Sequence, residues 1–299
     1  MIEKVGAVVI TYNPYIKGLE TLLGILINQF SEILIVDNGS ININDIKKVS
    51  INEKVLIRPL ESNLGIAAAL NEGMDYFRIK GYEWVATFDQ DSEPFDDFVL
   101  RFQELSKENV GIIGSYYVDR NWSEKDAERQ ILTYSDYEET TYVITSGAFV
   151  NVRAWNMVGG FDNQLFIDWV DWDINERLVL LGMTVYRTKD LMMRHQVGEP
   201  INVPEYKKQI LFLNNRLVRD HSPFRQYYIF RNRIIFLTRY RGVNKVQATI
   251  KSLIAFREIF ILPKGGSKFK AAWKGMLAGL KYDIKSDIYY QKFLKQISD

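Results

Sequence analysis

The sequence Phe88-Asp89-Gln90-Asp91-Ser92 places two carboxylates directly after an apolar segment. The aromatic and β-branched run before it, residues 83–88, predicts a short buried strand, and Glu93-Pro94 after it predicts a helix start capped by Ser92. Two carboxylates, one residue apart, therefore lie where a strand ends. They repel each other unless a cation or hydrogen-bond donors satisfy both. A divalent ion completed by phosphate oxygens and water is the usual solution, and a solvated acidic turn is the alternative.

Three similar strand-and-helix units precede this one. The predicted strands cover residues 5–10, 33–36, 54–58 and 83–88, and the predicted helices between them cover residues 19–30, 43–49 and about 65–77. The first of these strands is apolar throughout, as is typical of a strand covered on both faces. The alternating order predicts an α/β fold with a mostly parallel, doubly wound sheet and right-handed crossovers.

Polar residues follow each of these strands. They are Thr11 and Asn13, Asp37 and Asn38, Asn63, and finally Asp89 and Asp91. Because the carboxyl ends of parallel strands share one edge of the sheet, the pattern predicts a ligand crevice there. Neither a Gly-x-Gly-x-x-Gly nor a Gly-x-x-x-x-Gly-Lys-Ser/Thr motif is present. A nucleotide bound here would therefore not use the dehydrogenase or P-loop mode, and its diphosphate would need a metal ion.

The following region predicts more strands and one important helix. The predicted strands cover residues 110–114, 142–145 and 184–187, and residues 146–150 are predicted to form a tight passage into another strand. A polar acidic loop is predicted over residues 119–140. Residues 166–173 lead into a predicted helix that ends near Gly182. Asp168 and Asp171 lie near its start, where backbone N–H groups favour a carboxylate, so helix capping is the alternative to a functional role for each. Asp173 is expected to face solvent or to pair with Arg177.

Charge divides the chain into two regions. Residues 1–206 contain 18 Lys and Arg against 32 Asp and Glu, a net charge of −14, whereas residues 207–299 contain 20 against 5, a net charge of +15. The absence of cysteine excludes disulfides and thiolate metal sites. The N-terminus lacks the basic and apolar segments of a signal peptide, and no apolar run reaches the roughly 20 residues that cross a bilayer. We therefore expect a cytoplasmic protein.

Together these motifs resemble the family 2 glycosyltransferases of GT-A fold and, more narrowly, their bacterial rhamnosyltransferase branch. They occur in family order over the first two thirds of the chain and comprise residues 9–13, 36–40, 63–67, 89–92, the stretch from Gly160-Phe161-Asp162 to Asp171, and His195-x-x-Gly198. The narrower resemblance rests on Asp89-Gln90-Asp91-Ser92 and on Tyr227-Tyr228-x-x-Arg231-Asn232. It predicts a GT-A catalytic domain over residues 1–205, with a donor-binding half over 1–92 and an acceptor half over 93–205, followed by a basic helical region over 206–299.

The resemblance also implies a role for each candidate residue. A nucleoside diphosphate sugar would be held by Thr11, Asn13, Asp37, Asn63, Asp89 and Gln90, with Arg231 on the diphosphate. Asp91 would ligate Mg²⁺ or Mn²⁺. His195 would be a further metal ligand, although a structural histidine is the alternative. Asp171 would be the general base for an inverting displacement, and Asp168 and Trp169 would bind the acceptor.

One departure from the family pattern concerns the base. Many relatives carry Glu-Asp at this point, whereas Val170 precedes Asp171 here. Asp168 is therefore a rival for the role of base. Trp169 and Trp172 suit stacking on a sugar face, and packing in the core is the alternative for both.

The basic third of the chain predicts amphipathic helices. Residues 245–262 form one candidate, and residues 268–281 combine Phe, Trp, Met and Leu at helical spacing with four lysines. This pattern suits an anionic membrane surface, which would place the protein at the inner face of the cell membrane. A helical cap and a homodimer interface are the alternatives. For Arg231, a structural ion pair is the alternative. Nothing resembles a nucleic-acid-binding module.

The leading hypothesis is a metal-dependent inverting glycosyltransferase. It would move L-rhamnose from dTDP-L-rhamnose onto a glycan or lipid-linked acceptor in bacterial cell-surface polysaccharide synthesis. A family 2 transferase with another donor sugar and a non-catalytic sugar-nucleotide- or glycan-binding protein are the alternatives. A nucleotidyltransferase is disfavoured because no Gly-rich basic loop follows the first strand.

Overall fold

The computed structural model describes residues 5–105, 109–119, 122–195, 201, 203–213 and 218–298, without the side chains of residues 103–105, 190–192, 195 and 298. The strands in these residues are β1 (Val5–Thr11), β2 (Glu32–Asp37), β3 (Val55–Pro59), β4 (Trp84–Asp89), β5 (Glu93–Pro94), β6 (Val110–Asp119), β7 (Tyr137–Glu139), β8 (Ala148–Asn151) and β9 (Thr184–His195). The helices there are α1 (Ile16–Ile27), α2 (Ile43–Val49), α3 (Ile66–Ile79), α4 (Phe98–Leu105), α5 (Glu124–Thr133), α6 (Val152–Met157), α7 (Val170–Leu180), α8 (Glu205–Ile210), α9 (Pro223–Tyr240), α10 (Lys245–Phe256), α11 (Gly265–Leu280) and α12 (Ile288–Ser298). Two 3-10 segments cover Asn163–Leu165 and Arg257–Ile261.

The strands form one mixed sheet in the order β3-β2-β1-β4-β8-β6-β9-β5, with β7 paired to β9. The first four of these strands are mutually parallel, as the sequence predicted, because helices α1, α2 and α3 return the chain to the other end of the sheet between successive strands. In this register Thr11 lies beside Asp37, and Ile10 lies beside Asp89. The polar residues that end β1, β2 and β4 therefore share one edge of the sheet.

A cluster of phenylalanine rings anchors β4 and β8 beneath that edge. Phe102 stacks on Phe149 with ring centroids 3.7 Å apart, and Phe98 stacks on the same ring at 5.1 Å. Phe30 contacts Phe149 and also Phe88, the residue before Asp89. All five rings are buried. Buried aromatic pairs add about 0.5–1.5 kcal/mol each beyond their buried area, so the strand that carries Asp89 lies on a well-packed layer.

Two predictions near β4 are wrong. No helix begins at Glu93, because Glu93 and Pro94 pair with β9 and the next helix begins only at Phe98. Ser92 is not a helix cap. Its side chain is fully buried and hydrogen-bonds with the Ser146 hydroxyl instead. Pairing with β9, which is distant in the sequence, overrides the local helix signal at Glu93-Pro94.

The predicted strand over residues 142–145 is also absent. Helix α7 supplies the partners of this backbone in place of a neighbouring strand. The Val143 carbonyl accepts from Asn175, and the Thr145 amide donates to Asp171. Because these backbone groups are satisfied in this way, the segment does not need a strand partner and does not join the sheet.

The region predicted as a polar loop contains regular structure. Helix α5 begins after Ser123, whose hydroxyl accepts from the Asp126 amide, and none of its residues is buried. Strand β7 then pairs with β9. A short helix, α8, likewise has no buried residue. These elements are short and exposed, so they carry little of the apolar periodicity from which helices are predicted.

The chain divides into two compact units, one comprising Met1–Phe166 and Val170–Gln196 and the other Ile167–Trp169 and Val197–Asp299. The second unit is built on α9 and α11. These helices approach closely at Gly275, where a Cβ atom would lie 2.1 Å from the Tyr227 carbonyl oxygen. Glycine is therefore required at this crossing. Among the described residues, no helix has the length and apolar character needed to cross a membrane.

Candidate active site

The loops after β1 and β2 are joined by the buried carboxylate of Asp37. Its oxygens accept hydrogen bonds from the Thr11 hydroxyl at 2.8 Å and from the Ser40 amide at 2.9 Å, and the Ser40 hydroxyl donates to it as well. Asn13 has a positive φ of 48°, and its side-chain oxygen accepts from the Ile41 amide at 2.9 Å. The side chains of Thr11 and Asp37 thus organise the crevice from inside, whereas Asn13 is exposed at its surface.

A second pair of amides joins β2 to the loop before α3. Asn38 donates to the Asn63 side-chain oxygen at 3.1 Å and accepts from the Leu64 amide at 2.8 Å. Asn63 also accepts from the Gly65 amide at 3.0 Å. At Gly65 φ is 90°, and a Cβ atom would lie 2.6 Å from the Phe166 carbonyl oxygen. Glycine is required there by both conformation and space.

The Asp89-Gln90-Asp91 turn follows the buried part of β4. The Ser92 amide donates to the Asp89 carbonyl at 3.1 Å and closes the turn. The Gln90 side-chain oxygen accepts from the Tyr12 amide at 2.8 Å, so this turn is tied to the loop after β1. The side chains of Asp89 and Asp91 are both half-buried. The structure therefore brings Thr11, Asp37 and the acidic turn to one edge of the sheet, as the register requires.

Residues 145–147 connect this turn to helix α7, and sequence reasoning missed their role. The Ser146 hydroxyl accepts from the Asp89 amide at 3.2 Å. One residue earlier, Thr145 donates to the Asp171 Oδ1 atom from its hydroxyl at 2.7 Å and from its amide at 3.2 Å. The Gly147 amide donates to the Thr87 carbonyl at 2.8 Å. The backbone of Asp89 and the carboxylate of Asp171 are thus held by adjacent residues, Ser146 and Thr145.

Helix α7 presents Asp171 in its first turn and is anchored by a buried ion pair in the next. Arg177 donates to the Asp173 Oδ2 atom at 2.6 and 3.0 Å and to the Gly160 carbonyl at 2.7 Å. Of the two partners expected for Asp173, the structure therefore shows Arg177 and not solvent. Both side chains are buried. The Asp171 side chain is half-buried, and the helix that carries it is held by the bonds of Arg177.

Asp168, Trp169 and Arg231 belong to the second compact unit. Asp168 accepts two bonds from the Arg225 Nε atom, at 3.0 and 3.1 Å. Burial lowers the pKa of His221, and the nearby Arg225 guanidinium lowers that pKa further, against the opposite effect of Asp168. The Asp168 carboxylate is thus engaged in an ion pair with Arg225.

Trp169 packs against α9, and Arg231 is part of that helix. The Trp169 indole N–H donates to the Ile229 carbonyl at 3.1 Å, and its ring lies 5.1 Å from that of Phe236. Arg231 donates to the Asn232 side chain at 2.8 Å and lies over the Tyr228 ring at 4.7 Å. Trp172, in contrast, stacks on Tyr142 in the first unit at 3.8 Å.

The predicted metal ligands are only partly described. The backbone of His195 ends β9 opposite Asp119, but its side chain and Gly198 lie outside the described residues. Within the described part of the chain, no group of three or more His, Asp or Glu side chains is arranged to hold a metal ion. Asp89 and Asp91 nonetheless offer hard oxygen donors within a single turn, and that donor set fits Mg²⁺ or Mn²⁺.

Comparison with known proteins identifies the family. The sequence model of glycosyl transferase family 2 matches residues 7–166, which contain the acidic turn and residues 145–147. The chain belongs to glycosyl transferase family 2. It is also 31% identical over 255 residues to the dTDP-rhamnosyl transferase RfbF of Shigella flexneri, a match that covers 79% of this chain and 81% of that protein. This glycosyltransferase is therefore similar to a rhamnosyltransferase along most of its length.

The fold is also that of a solved glycosyltransferase. The crystal structure of GalNAc-T7 with UDP, GalNAc and Mn²⁺ superposes with a TM-score of 0.56 at 12% sequence identity, over 96% of this chain. The chain spans 56% of the length of that structure. At this identity the likeness concerns the fold alone, and it confirms the predicted GT-A architecture with a helical C-terminal region.

Proposed function

We propose that this glycosyltransferase moves L-rhamnose from dTDP-L-rhamnose onto a glycan or lipid-linked acceptor of a bacterial cell-surface polysaccharide. The observation that carries the proposal is the 31% identity to a dTDP-rhamnosyl transferase, which extends over 79% of the chain. Residues 1–92 would hold the donor, and residues 93–205 would supply the base and much of the acceptor site. Residues 206–299 would form a separate basic helical region.

The donor nucleotide would bind at the edge of the sheet formed by the loops after β1, β2, β3 and β4. The exposed Asn13 and the half-buried Asn63 offer amide groups for the base and ribose. Thr11 and Asp37 are buried and bonded to each other, so their main effect would be to position these loops. Asp89 and Gln90 would face the ribose or sugar, and Arg231 would approach the diphosphate because its guanidinium suits phosphate oxygens.

Asp91 and His195 would hold Mg²⁺ or Mn²⁺, with oxygens of the donor diphosphate as further ligands. When bound, the ion would neutralise the charge that develops on the departing diphosphate. The protein's own contribution is the acidic turn, which the Ser92 amide closes and Ser146 supports.

We expect Asp91→Asn to lower kcat about 100-fold at fixed Mn²⁺ and to raise the Mn²⁺ concentration that gives half-maximal rate. An amide oxygen is a weaker ligand for a hard cation than a carboxylate. The measurement is a titration of transfer rate against Mn²⁺ and Mg²⁺ after EDTA treatment. Asp96→Asn, an exposed carboxylate five residues later, is the matched control. If Asp91→Asn left the metal titration unchanged, Asp91 would not be a metal ligand.

The transfer step would be a single displacement. The acceptor hydroxyl oxygen forms a bond to the anomeric carbon while the bond from that carbon to the diphosphate oxygen breaks. Asp171 takes the hydroxyl proton, and dTDP leaves on the opposite face, so the product has the inverted anomeric configuration. The two bonds from Thr145 to Oδ1 fix the orientation of this carboxylate. The geometry thus favours Asp171 over the ion-paired Asp168.

Thr145 is expected to act as a positioning residue. Thr145→Val removes the hydroxyl donor and keeps the shape, so kcat should fall about 10- to 100-fold, the equivalent of one hydrogen bond to a charged group. KM for the donor should stay within twofold, and Thr145→Ser should restore most of kcat. Steady-state kinetics at saturating acceptor provide both values. A rise in donor KM with unchanged kcat would contradict this role.

The donor is tested by thermal unfolding with a panel of sugar nucleotides, each with and without Mn²⁺. A donor at 100 times its Kd stabilises the folded state by about 2.7 kcal/mol. We expect dTDP-L-rhamnose to protect most strongly and NMR of the transfer product to show inversion. Stronger protection by another sugar nucleotide would identify that compound as the donor, and the proposed reaction would remain a glycosyl transfer. Binding without turnover at any metal concentration would instead indicate a non-catalytic sugar-nucleotide-binding protein.

A further inference from the structure

We propose that the exposed apolar and basic surface of helices α10 and α11 docks the protein on an anionic phospholipid bilayer. The proposal concerns the second compact unit alone. It does not depend on the identity of the donor or the acceptor. Vesicle binding is measured without sugar nucleotide, so its failure would leave the proposed transfer reaction untouched.

The first support is an aromatic cluster on the outside of α11. Phe260, Phe269 and Trp273 are exposed, and their rings form a continuous series with centroids 6.0 and 6.3 Å apart. The buried Phe256 ring packs beneath them, 5.1 Å from Phe269 and 6.1 Å from Trp273. Leu277 continues the row one turn later and is 44% exposed. The cluster is thus a fixed surface feature rather than a set of independent side chains.

Helix α10 adds a second apolar stripe. Its inward face consists of Ala248, Ser252 and Phe256, all buried. On the side facing solvent it carries Val246, Ile250, Leu253 and Ile254, each at least 45% exposed. Soluble surfaces rarely expose contiguous apolar residues on this scale unless they meet a partner or a membrane.

Lysines run beside the apolar row of α11. Lys270 and Lys274 follow Phe269 and Trp273 by one residue each, so the two rows are neighbours on the exposed side of the helix, and both lysines are exposed. Residues 245–281 contain eight Lys and Arg against one carboxylate, Glu258, a net charge of +7. Of these cations, Lys268 is buried and pairs with Asp220, so it is not part of the exposed row.

Charge decides between the occupants of such a surface. A second copy of the chain would bring a lysine row of the same sign against this one, because a twofold interface joins identical patches. Like charges facing each other disfavour association. An anionic bilayer attracts the lysines and also accepts aromatic and aliphatic side chains at the boundary between head groups and acyl chains. The bilayer therefore satisfies both components of the surface.

The test is co-sedimentation of the full chain with vesicles of phosphatidylcholine alone or with about 30% phosphatidylglycerol. We expect binding only to the anionic vesicles and weaker binding at high salt. Lys270→Gln with Lys274→Gln should weaken binding about 25-fold, from about fivefold per lysine. Ile250→Ser with Ile254→Ser, which alters only exposed side chains, should weaken it at least tenfold. Quenching of tryptophan fluorescence by brominated lipids should be lost in Trp273→Phe.

Matched controls lie in the first compact unit. Lys47→Gln with Lys48→Gln makes the same charge change, and Ile51→Ser with Ile79→Ser removes two exposed isoleucines. Both should bind vesicles as the natural chain does. Binding that is absent on anionic vesicles, or equally weakened by control and test variants, would overturn the proposal. So would a vesicle-free dimer in sedimentation velocity that Ile250→Ser with Ile254→Ser dissociates.

Discussion

Asp171→Asn is expected to lower kcat for sugar transfer about 10³-fold while donor binding stays intact. A positioned general base contributes roughly 10²- to 10⁴-fold, and an amide cannot take the proton from the acceptor hydroxyl. The Asn side chain is isosteric and its oxygen still accepts from Thr145, so the first turn of α7 should keep its geometry. Kinetics of the variant and its thermal protection by donor measure the two properties separately.

Two comparisons make this prediction specific to the base. Asp168→Asn should lower kcat less than tenfold, because that carboxylate is held by Arg225 in the second unit. Azide as acceptor needs no base, so Asp171→Asn should form the glycosyl azide about as fast as the natural enzyme. If Asp168→Asn were the inactive variant and Asp171→Asn active, the base would be Asp168. If azide failed to restore turnover, Asp171 would have another role.

The donor edge of the sheet could be predicted because its signals are local. The strand ending at Thr11 and the one ending at Asp37 are continuous apolar runs, and parallel pairing alone brings their ends together. The same argument placed Asp89 beside them. What local pattern could not show is which groups satisfy these polar side chains. Asp37, for instance, is buried and bonded to Thr11 and Ser40, a state that depends on the packing of loops 26 residues apart.

The connection from the acidic turn to helix α7 could not be predicted for a related reason. Ser146 bonds to a residue 57 positions earlier and Thr145 to one 26 positions later. Neither spacing has a periodicity that sequence analysis can recognise. The incorrect prediction of a strand over residues 142–145 has the same origin. Val143 and Thr145 have strand-forming side chains, but their backbone groups form hydrogen bonds with side chains of α7. A local signature for such a segment was available only in Gly147, whose φ is 69°.

Arg177→Met is expected to lower the free energy of unfolding by about 3–5 kcal/mol, the usual cost of removing one partner of a buried ion pair. The Arg177 side chain is fully buried, and it donates to Asp173 and to the carbonyls of Val158 and Gly160. Substitution leaves the Asp173 carboxylate buried without its cation and also unties α7 from the turn at Gly160. Urea unfolding followed by circular dichroism gives the change.

The exposed pair of Arg78 and Asp75 provides the control, because both side chains are more than 40% exposed. Arg78→Met should cost at most about 1 kcal/mol, since solvent screens such pairs. Adding Asp173→Leu to Arg177→Met should recover part of the lost stability by removing the stranded charge. The folded fraction of the Arg177→Met protein should keep a near-normal KM for the donor, because the substitution affects the anchoring of α7 and not the donor crevice. Equal losses for Arg177→Met and Arg78→Met would show that burial does not set the strength of the Asp173 pair, and the anchoring of α7 attributed to Arg177 would lose its basis.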